Sequence, residues 1–187
     1  MKVEKTALEG VIIIEPDIFA DERGLFFELA SEKKYQEILG SEVCFVQDNL
    51  SSSKKGVLRG LHYQAPPFGQ GKLVSVLRGK ALDVAVDIRF GSPTFGQHIV
   101  VELSQDNHRQ VFIPAGFAHG CLLQENHTLF LYKCTSYYEK SAERGVRWND
   151  PALAIAWGIE NPIVAERDAN FPLLKDIAKE YMYQENL

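Results

Sequence analysis

Residues 57–135 form a succession of short strand-like segments separated by turns, and this pattern limits the fold more than any other feature. Turn sequences at residues 78–80 (RGK) and 104–107 (SQDN) interrupt segments rich in β-branched and aromatic residues. No amphipathic helical segment of about 10–15 residues separates them, as a parallel βαβ fold would require. We therefore predict a mainly β protein, built as an antiparallel sandwich or barrel. The predicted strands are residues 57–63, 72–77, 81–88, 97–103, 110–113, 120–123 and 127–135.

The two ends of the chain add strands and helices to this prediction. Ser31 is a predicted N-cap for a helix over residues 32–39, which Gly40 ends. The polar stretch 51–56 is predicted to be a loop, and residues 173–183 a terminal helix. Further strands are predicted at residues 11–14, 25–29 and 43–50, with Phe26 and Glu28 on one face of the second.

Length and hydrophobic content favour one domain that spans residues 1–187. The chain has 187 residues, of which 45% are hydrophobic, and all-β domains of this size commonly form a single core. The formal net charge of −5 has the wrong sign for a nucleic-acid-binding surface. We therefore expect no nucleic-acid partner, although a locally basic pocket remains compatible with an anionic small molecule.

Three further features indicate a cytoplasmic protein. No apolar run reaches the length of a membrane span, and the N-terminal residues lack the pattern of a signal peptide. The cysteines, Cys44, Cys121 and Cys134, are odd in number and form no C-x-x-C pair. We expect reduced, buried thiols and no membrane association.

Arg59, His62 and Lys72 surround the Gly/Pro-rich segment 65–71. An arginine suits a phosphate or carboxylate, a histidine can accept a proton near neutral pH, and a lysine can stabilise an oxyanion. Together, the three side chains suit proton abstraction next to a carbonyl group.

Asp83 and Asp87 share one face of the predicted strand over residues 81–88. If that face lines a barrel interior, Asp83 is a buried carboxylate that needs a partner, and His119 is available. The alternative is that both carboxylates face solvent. For His119, which lies in a turn flanked by proline and glycine, the alternative is a structural role.

Cys121 and Tyr132 each admit a chemical role and a packing role. Cys121 follows His119 by two residues, which raises a Cys/His nucleophile, with a small buried cysteine as the alternative. Tyr132 shares a face with Phe130 and Cys134, where it can act as a general acid or simply pack.

Metal binding is only weakly indicated. Metal sites in double-stranded β-helices often use a His-x-His pair among about three or four ligands, whereas Gln64 stands two residues after His62. His98, His108 and His127 lie in less suggestive contexts.

A set of short motifs, in order along the chain, resembles the dTDP-4-dehydrorhamnose 3,5-epimerase family. A single motif of this length is not decisive, but the ordered set, which runs from about residue 20 to residue 175, is specific. The motifs are residues 23–24 (RG), 45–49 (FVQDN), 56–64 (GVLRGLHYQ), 91–96 (GSPTFG), 114–120 (PAGFAHG), 132–135 (YKCT), 143–151 (ERGVRWNDP) and 166–168 (ERD).

The resemblance implies a cupin-like jelly roll (a double-stranded β-helix) with a few short peripheral helices, a homodimer, and no metal or other cofactor. The implied substrate is dTDP-4-dehydro-6-deoxy-D-glucose, a 4-keto-6-deoxy sugar on a nucleotide diphosphate. Protons would leave C3 and C5, which flank the C4 ketone, and return on the opposite face. The product would be dTDP-4-dehydro-L-rhamnose, on the route to dTDP-rhamnose.

The resemblance also implies catalytic roles for four side chains. His62 would be the base, and Asp168 would orient it and stabilise its protonated form. Lys72 would stabilise the C4 enolate oxygen, and Tyr132 would be the acid on the far face of the sugar.

The remaining implied site residues bind the substrate. Arg23, Arg59 and Arg167 are candidates for the diphosphate and nucleotide end, while His119, paired with Asp83, would line the sugar site. The N-terminal Arg23, Phe26 and Glu28 are expected to reach into the partner subunit's site. Candidates for base, deoxyribose and sugar contacts are Phe26, Glu28, Gln47, Asp48, Asn49, Tyr138 and Glu143.

Two positions depart from the family pattern, and several alternatives remain open. Leu50 stands where the family usually has histidine, which could alter a loop near the sugar, and Arg167 stands where lysine is commoner, which should preserve the charge.

A close alternative is an epimerase that acts at C3 or C5 only. The others are a metal-dependent cupin oxygenase or isomerase and a non-catalytic nucleotide-sugar-binding module.

Overall fold

The computed structural model describes residues 1–184 and shows a mainly antiparallel β protein. Within these described residues there are two short α-helices, α1 (Glu32–Leu39) and α2 (Glu166–Ala169), and single 3₁₀ turns at 140–142 and 174–176. The strands are β1 (Lys2–Lys5), β2 (Ile12–Glu15), β3 (Ile18–Asp21), β4 (Gly24–Phe27), β5 (Gln47–Ser53), β6 (Val57–Gln64), β7 (Lys72–Arg78), β8 (Lys80–Asp87), β9 (His98–Ser104), β10 (Gln110–Ile113), β11 (Phe117–Leu123), β12 (Thr128–Cys134), β13 (Glu143–Gly145) and β14 (Ile163–Val164).

Two sheets account for most of these strands. The first has the order β1-β2-β10-β7-β12-β5 and the second the order β13-β6-β11-β8-β9, with β14 added parallel to β6. From β5 to β13 the chain crosses to the other sheet at every connection except β8–β9. Such crossing between two antiparallel sheets is the jelly-roll topology, so the predicted fold class is confirmed.

Three apolar clusters explain why so many strands have apolar residues on both faces. One fills the space between the sheets and includes Val74 and Leu103. Another covers the outer face of the second sheet, where Val84 and Trp157 are buried. The third lies beneath α1, around Tyr35. Burial of a full aliphatic or aromatic side chain stabilises the folded state by roughly 1.5–3 kcal/mol, so these clusters set the strand register.

The helix predicted over residues 32–39 is confirmed at both ends. Gly40 ends it with φ of 111°, a conformation that glycine adopts without steric cost, and its N–H donates to Gln36 O at 3.0 Å. Ser31 occupies the N-cap position, but its side chain makes no capping hydrogen bond. Tyr35, on the inner face of this helix, is fully buried, and its hydroxyl oxygen lies 2.8 Å from Gln110 Oε1 on β10.

Strand β5 lies further along the chain than predicted. Residues 43–46 are irregular, whereas residues 51–53, predicted as part of a loop, pair with β12 through Ser53↔Thr128. A run of serines has low strand propensity, but the available β12 edge overrides it. This shift matters for function because it brings Ser51 to the wall of the central cavity.

The predicted terminal helix over residues 173–183 is wrong. Only a 3₁₀ turn at 174–176 is present, and the following residues are irregular up to a bridge between Met182 and Phe90. Leu174 and Ile177 pack into the cluster outside the second sheet, and Leu174 N–H donates to Asp150 Oδ2 at 2.6 Å. These tertiary contacts override the local helical pattern.

The cysteines are all free, as expected, but they are not all buried. Cys121 and Cys134 are buried, whereas Cys44 is exposed beside α1. The expectation of buried thiols is therefore wrong for Cys44, because residues 43–46 lie outside the sheet to which the sequence pattern assigned them. Within residues 1–184, no helix has the length and hydropathy needed to span a membrane.

Candidate active site

A cavity of about 340 Å³ lies between the two sheets. One wall comes from β5, β7 and β12, and the facing wall from β6, β11 and β13. The sequence-predicted residues that line it are Gln47, Asn49, Arg59, His62, Lys72, His119, Tyr132, Tyr138, Glu143 and Arg167.

His62 and Asp168 form a hydrogen-bonded dyad at this cavity. His62 Nε2 lies 2.9 Å from Asp168 Oδ1, and Asp168 is buried within the four-residue helix α2. The second carboxylate oxygen accepts the Gly60 N–H at 3.0 Å. An ionised Asp168 therefore accepts a hydrogen bond from the Nε2–H group of His62. In this tautomer, Nδ1 of the neutral imidazole can accept a proton from a substrate.

The electrostatics favour a neutral histidine beside an ionised carboxylate. Burial lowers the pKa of His62, and the hydrogen bond to Asp168 offsets only part of that effect. Burial alone would raise the pKa of Asp168, but hydrogen bonds from His62, Gly60 and Arg167 outweigh it and hold this pKa below its usual range. A neutral base is thus available at neutral pH and below.

Gly60 allows the dyad to form. Its φ is 128°, and a Cβ at this position would lie 2.5 Å from Gly120 Cα on the adjacent strand β11. No side chain fits in that space, and the backbone N–H can then reach the buried carboxylate of Asp168. The register between β6 and β11 shifts at this point, after the pair His62↔His119. The glycine therefore explains why this part of β6 places a histidine at the wall and a backbone donor behind it.

Lys72 begins β7 and contributes to the opposite wall. Val74, two residues on, shares its face and lies in the core between the sheets. Burial lowers the pKa of Lys72, and the negative charges of Asp83 and Glu143 offset only part of that effect. A largely desolvated ammonium group is well suited to stabilise an oxyanion that forms in the cavity.

Tyr132 lies on β12, in the sheet that faces His62. As the alternation predicted, it shares its face with Phe130, whose ring centroid lies 6.4 Å away. Burial raises the pKa of Tyr132, so its hydroxyl is protonated at neutral pH. The cavity thus has a neutral imidazole on one wall and a phenol on the other.

His119 and Asp83 form a second, more deeply buried dyad. Their Nε2 and Oδ2 atoms lie 2.7 Å apart, and Asp83 is 1% exposed. The reading of Asp83 and Asp87 as solvent-facing is therefore wrong, since Asp87 is also buried, where it accepts hydrogen bonds from Ser92 and Thr94.

Cys121 lines the cavity two residues beyond His119. Burial raises the pKa of the Cys121 thiol, which disfavours the thiolate that a nucleophile requires. The small buried cysteine is therefore the reading that the structure favours over the Cys/His nucleophile.

Arg59 supplies an accessible positive charge on β6. Its guanidinium bonds the Ser53 hydroxyl at 3.2 Å and 3.3 Å rather than a carboxylate. It therefore retains donors for an anion in the cavity.

Arg167 connects the dyad to the rim of the cavity. Its Nε donates to Asp168 Oδ1 at 3.2 Å and its terminal nitrogen to Glu143 Oε2 at 2.7 Å. Glu143 Oε2 also accepts the Tyr138 hydroxyl at 3.0 Å. The backbone N–H of Tyr138 is in turn held by Gln47 Oε1 at 3.0 Å.

Six sequence-predicted residues do not line this cavity. Two of them, Asp83 and Asp168, are hydrogen-bonded to the lining histidines His119 and His62. Arg23, Phe26 and Glu28 belong to the β3–β4 hairpin and the residue that follows it, where Arg23 pairs with Asp21. Asp48 lies on the outer face of β5, between Gln47 and Asn49, which face inward. Its carboxylate binds Lys133 at 2.7 Å, so a direct contact with a ligand in this cavity is not available to Asp48 in the single chain.

Several lining residues were missed by the sequence analysis. Gln64 and Gln70 carry no charge that marks them, and Ser51 was placed in a loop. A clear signal was present for Phe130, because it shares a face with Tyr132. The missed lining residues are Ser51, Tyr63, Gln64, Gln70 and Phe130.

Among residues 1–184, no group of three or more His, Cys, Asp or Glu side chains is arranged to hold a metal ion. Each of the two cavity histidines is instead bonded to an aspartate.

The family model for dTDP-4-dehydrorhamnose 3,5-epimerase matches residues 5–176. The chain belongs to this family. A dTDP-4-dehydrorhamnose 3,5-epimerase of Salmonella typhimurium is 51% identical over 175 residues, which cover 93% of this chain and 96% of that relative. The family resemblance deduced from the motifs is confirmed.

Solved structures give the same result. The crystal structure of dTDP-6-deoxy-D-glucose-3,5-epimerase from Legionella pneumophila, in complex with dTDP-4-keto-L-rhamnose, is similar with a TM-score of 0.93 and 49% identity, and the match covers 98% of both chains. A 3'-monoepimerase from Streptomyces bikiniensis, in complex with dTDP-quinovose, gives a TM-score of 0.87 at 35% identity over 91% of this chain and 86% of that chain.

One departure from the family pattern has a clear structural position. Leu50 is 59% exposed on the outer face of β5, between the inward-facing Asn49 and Ser51. The expected effect of Leu50 on a loop near the sugar is not supported, because this side chain points away from the cavity.

Proposed function

We propose that this member of the 3,5-epimerase family inverts C3 and C5 of dTDP-4-dehydro-6-deoxy-D-glucose and yields dTDP-4-dehydro-L-rhamnose. The observation that carries the proposal is the placement of His62 and Tyr132 on facing walls of one cavity. Inversion of a carbon needs a proton removed from one face and a proton delivered to the other. A base and an acid on opposite walls meet that requirement.

The first step is proton abstraction by His62. Its neutral imidazole takes the proton from the carbon next to the C4 ketone, and Asp168 stabilises the imidazolium that forms. The electron pair of the broken C–H bond forms the enolate, and the negative charge moves to the C4 oxygen. Lys72, one of the cationic side chains that line the cavity, stabilises this oxygen.

The second step is delivery of a proton by Tyr132 from the opposite wall. The enolate carbon takes the phenolic proton, the C4 ketone re-forms, and the carbon is left inverted. Exchange of one proton with solvent then returns His62 to its neutral form and Tyr132 to its protonated form. The same two groups serve both carbons, since C3 and C5 both flank C4.

The nucleotide diphosphate binds through the basic rim of the cavity. Arg59 retains donors for an anion, and Arg167 is exposed at the rim. In the proposed homodimer, Arg23, Phe26 and Glu28 reach from one subunit into the partner's site. This arrangement explains why apolar side chains of the β3–β4 hairpin, such as Phe26, are exposed in the single chain.

Substitution of the base and the acid tests the roles directly. We expect His62→Ala and Tyr132→Phe to bind dTDP as tightly as the unmodified protein, while kcat falls by about 10²–10⁴, the usual contribution of a positioned acid or base. Matched controls are His98→Ala and Tyr137→Phe, whose side chains lie outside the cavity. Calorimetric titration with dTDP and a turnover assay measure the two effects. Normal turnover in both cavity variants would contradict the assigned roles.

A single-carbon epimerase is the second candidate function. It is favoured by the similarity to the 3'-monoepimerase of Streptomyces bikiniensis, since one fold serves both kinds of enzyme. The number of carbons that acquire solvent hydrogen distinguishes the two candidates.

A further inference from the structure

The guanidinium of Arg167 bonds two carboxylates, that of Asp168 in the dyad and that of Glu143 at the rim of the cavity. Its Nε contacts Asp168 Oδ1 at 3.2 Å, and its NH1 contacts Glu143 Oε2 at 2.7 Å. The planar fork of arginine can hold both contacts at once, whereas the single ammonium group of a lysine cannot span them in the same way. Phe171 supports the guanidinium, with its ring centroid 6.0 Å from the guanidinium carbon.

We propose that Arg167 is a positioning residue for the catalytic base: it clamps Asp168 to Glu143 and so holds His62 in a fixed orientation and in its neutral state. The proposal rests on the proposed function of His62 as base. It differs from the anion-binding role expected for Arg167, because here the residue acts through the dyad rather than on the substrate.

The contacts of Asp168 show how the clamp works. Oδ1 accepts hydrogen bonds from His62 Nε2 and Arg167 Nε, and Oδ2 accepts one from the Gly60 N–H. A carboxylate held by three donors has little freedom to rotate, so the imidazole that depends on it is also fixed. Glu143 fixes the far side of the guanidinium, because its own carboxylate is held by Tyr138.

The positive charge of Arg167 disfavours protonation of His62. Its NH2 lies 3.4 Å from His62 Nε2, too close for two positive charges to coexist without cost. Lys72, on the opposite wall, acts in the same sense, and Asp168 acts against both. Other titratable groups around this corner include Glu143, on β13, Tyr138, whose hydroxyl bonds Glu143, and His119, the register partner of His62 on β11.

Titration of His62 in the ligand-free protein tests the proposal without relying on turnover. We expect Arg167→Met to raise the pKa of His62, because a positive charge and a competing donor to Asp168 are both removed. Arg167→Lys keeps the charge and loses the fork, so it should shift the pKa less. NMR spectra of protein with isotope-labelled histidine report all five imidazoles, and the His62 signal is assigned from its loss in His62→Gln. His98 and His127 serve as internal references.

Kinetics of the same variants separate positioning from anion binding. We expect kcat at the pH plateau to fall about tenfold in both Arg167→Met and Arg167→Lys, since small displacements of a catalytic group cost this much or more. The matched control is Arg144→Met, which removes an arginine of β13 that pairs with Glu180 instead. It should leave the His62 titration unchanged.

The result that would overturn the proposal is an unchanged pKa of His62 in Arg167→Met, with only KM for the nucleotide sugar raised. Arg167 would then be an anion-binding residue alone. If the protein showed no epimerase activity at all, the proposed function would fail, but the His62 titration would still decide whether Arg167 acts on the dyad.

Discussion

At the scale of single residues, the proposed reactivity depends on the surroundings of His62. Burial and the positive charges of Lys72 and Arg167 lower its pKa, whereas Asp168 raises it. The net effect is a histidine that remains neutral to a lower pH than an isolated imidazole. Because the base works only when neutral, the acidic limb of the activity profile should lie below the ordinary histidine pKa.

Asp168→Asn should move that acidic limb to still lower pH. Loss of the carboxylate charge removes the main influence that raises the pKa of His62, so the imidazole is neutral over a wider range. We also expect kcat to fall by about 10²–10⁴, because the imidazolium formed during the reaction loses its partner. The pH dependence of kcat/KM measures both effects. A limb that moved to higher pH would contradict this account of the dyad.

The sequence predicted residue roles unevenly. His62 and Tyr132 were assigned roles because they stand in motifs that resemble those of the epimerase family, whereas the residue pattern alone left Tyr132 open between an acid and a packing role. Gln64 was missed because a glutamine has no distinctive chemistry, although its carboxamide bonds Phe68 O and the Glu139 N–H at the edge of the cavity. The inward or outward direction of Asp48 follows from the register of β5, which the sequence analysis placed too early.

At the scale of elements, the β3–β4 hairpin is the feature that the single chain does not explain. Phe19, Leu25 and Phe26 are 64%, 54% and 70% exposed, and Arg23 lies at the turn beside them. The proposed homodimer gives these side chains a place in the partner's site. Most central strands were predictable from runs of β-branched and aromatic residues between turns, even where both faces of the strand are buried. The conformation of residues 173–183 was not, because contacts distant in sequence decide it.

Mixing of two impaired variants tests the role of the hairpin. When each is alone, we expect Arg23→Ala to weaken binding of the dTDP-sugar and so to slow turnover at low substrate concentration, and His62→Ala to lower kcat by about 10²–10⁴. In a mixed dimer, one site would combine the intact His62 of one subunit with the intact Arg23 of the other. Activity should therefore reappear when the variants are unfolded and refolded together. No recovery, in a mixture shown to contain mixed dimers, would place the arginine and the histidine of each site on the same chain.

For the whole molecule, the jelly roll places the walls of one cavity on two separate sheets. The proposed base, His62, is on β6 and the proposed acid, Tyr132, is on β12, and these two strands do not pair with each other. Each wall is fixed by its own sheet and by the core between them, so the distance across the cavity does not depend on a flexible loop. Such an arrangement suits a reaction in which a planar enolate must be approached from both faces.

The measurement that tests the central claim most directly is hydrogen exchange from heavy water into the product. The protein is incubated in D₂O with dTDP-4-dehydro-6-deoxy-D-glucose, and the position of the label is read by NMR. We expect deuterium at both C3 and C5, with both carbons inverted, and no label above background with His62→Ala. Deuterium and inversion at only one of the two carbons would contradict the claim that this cavity catalyses both epimerisations.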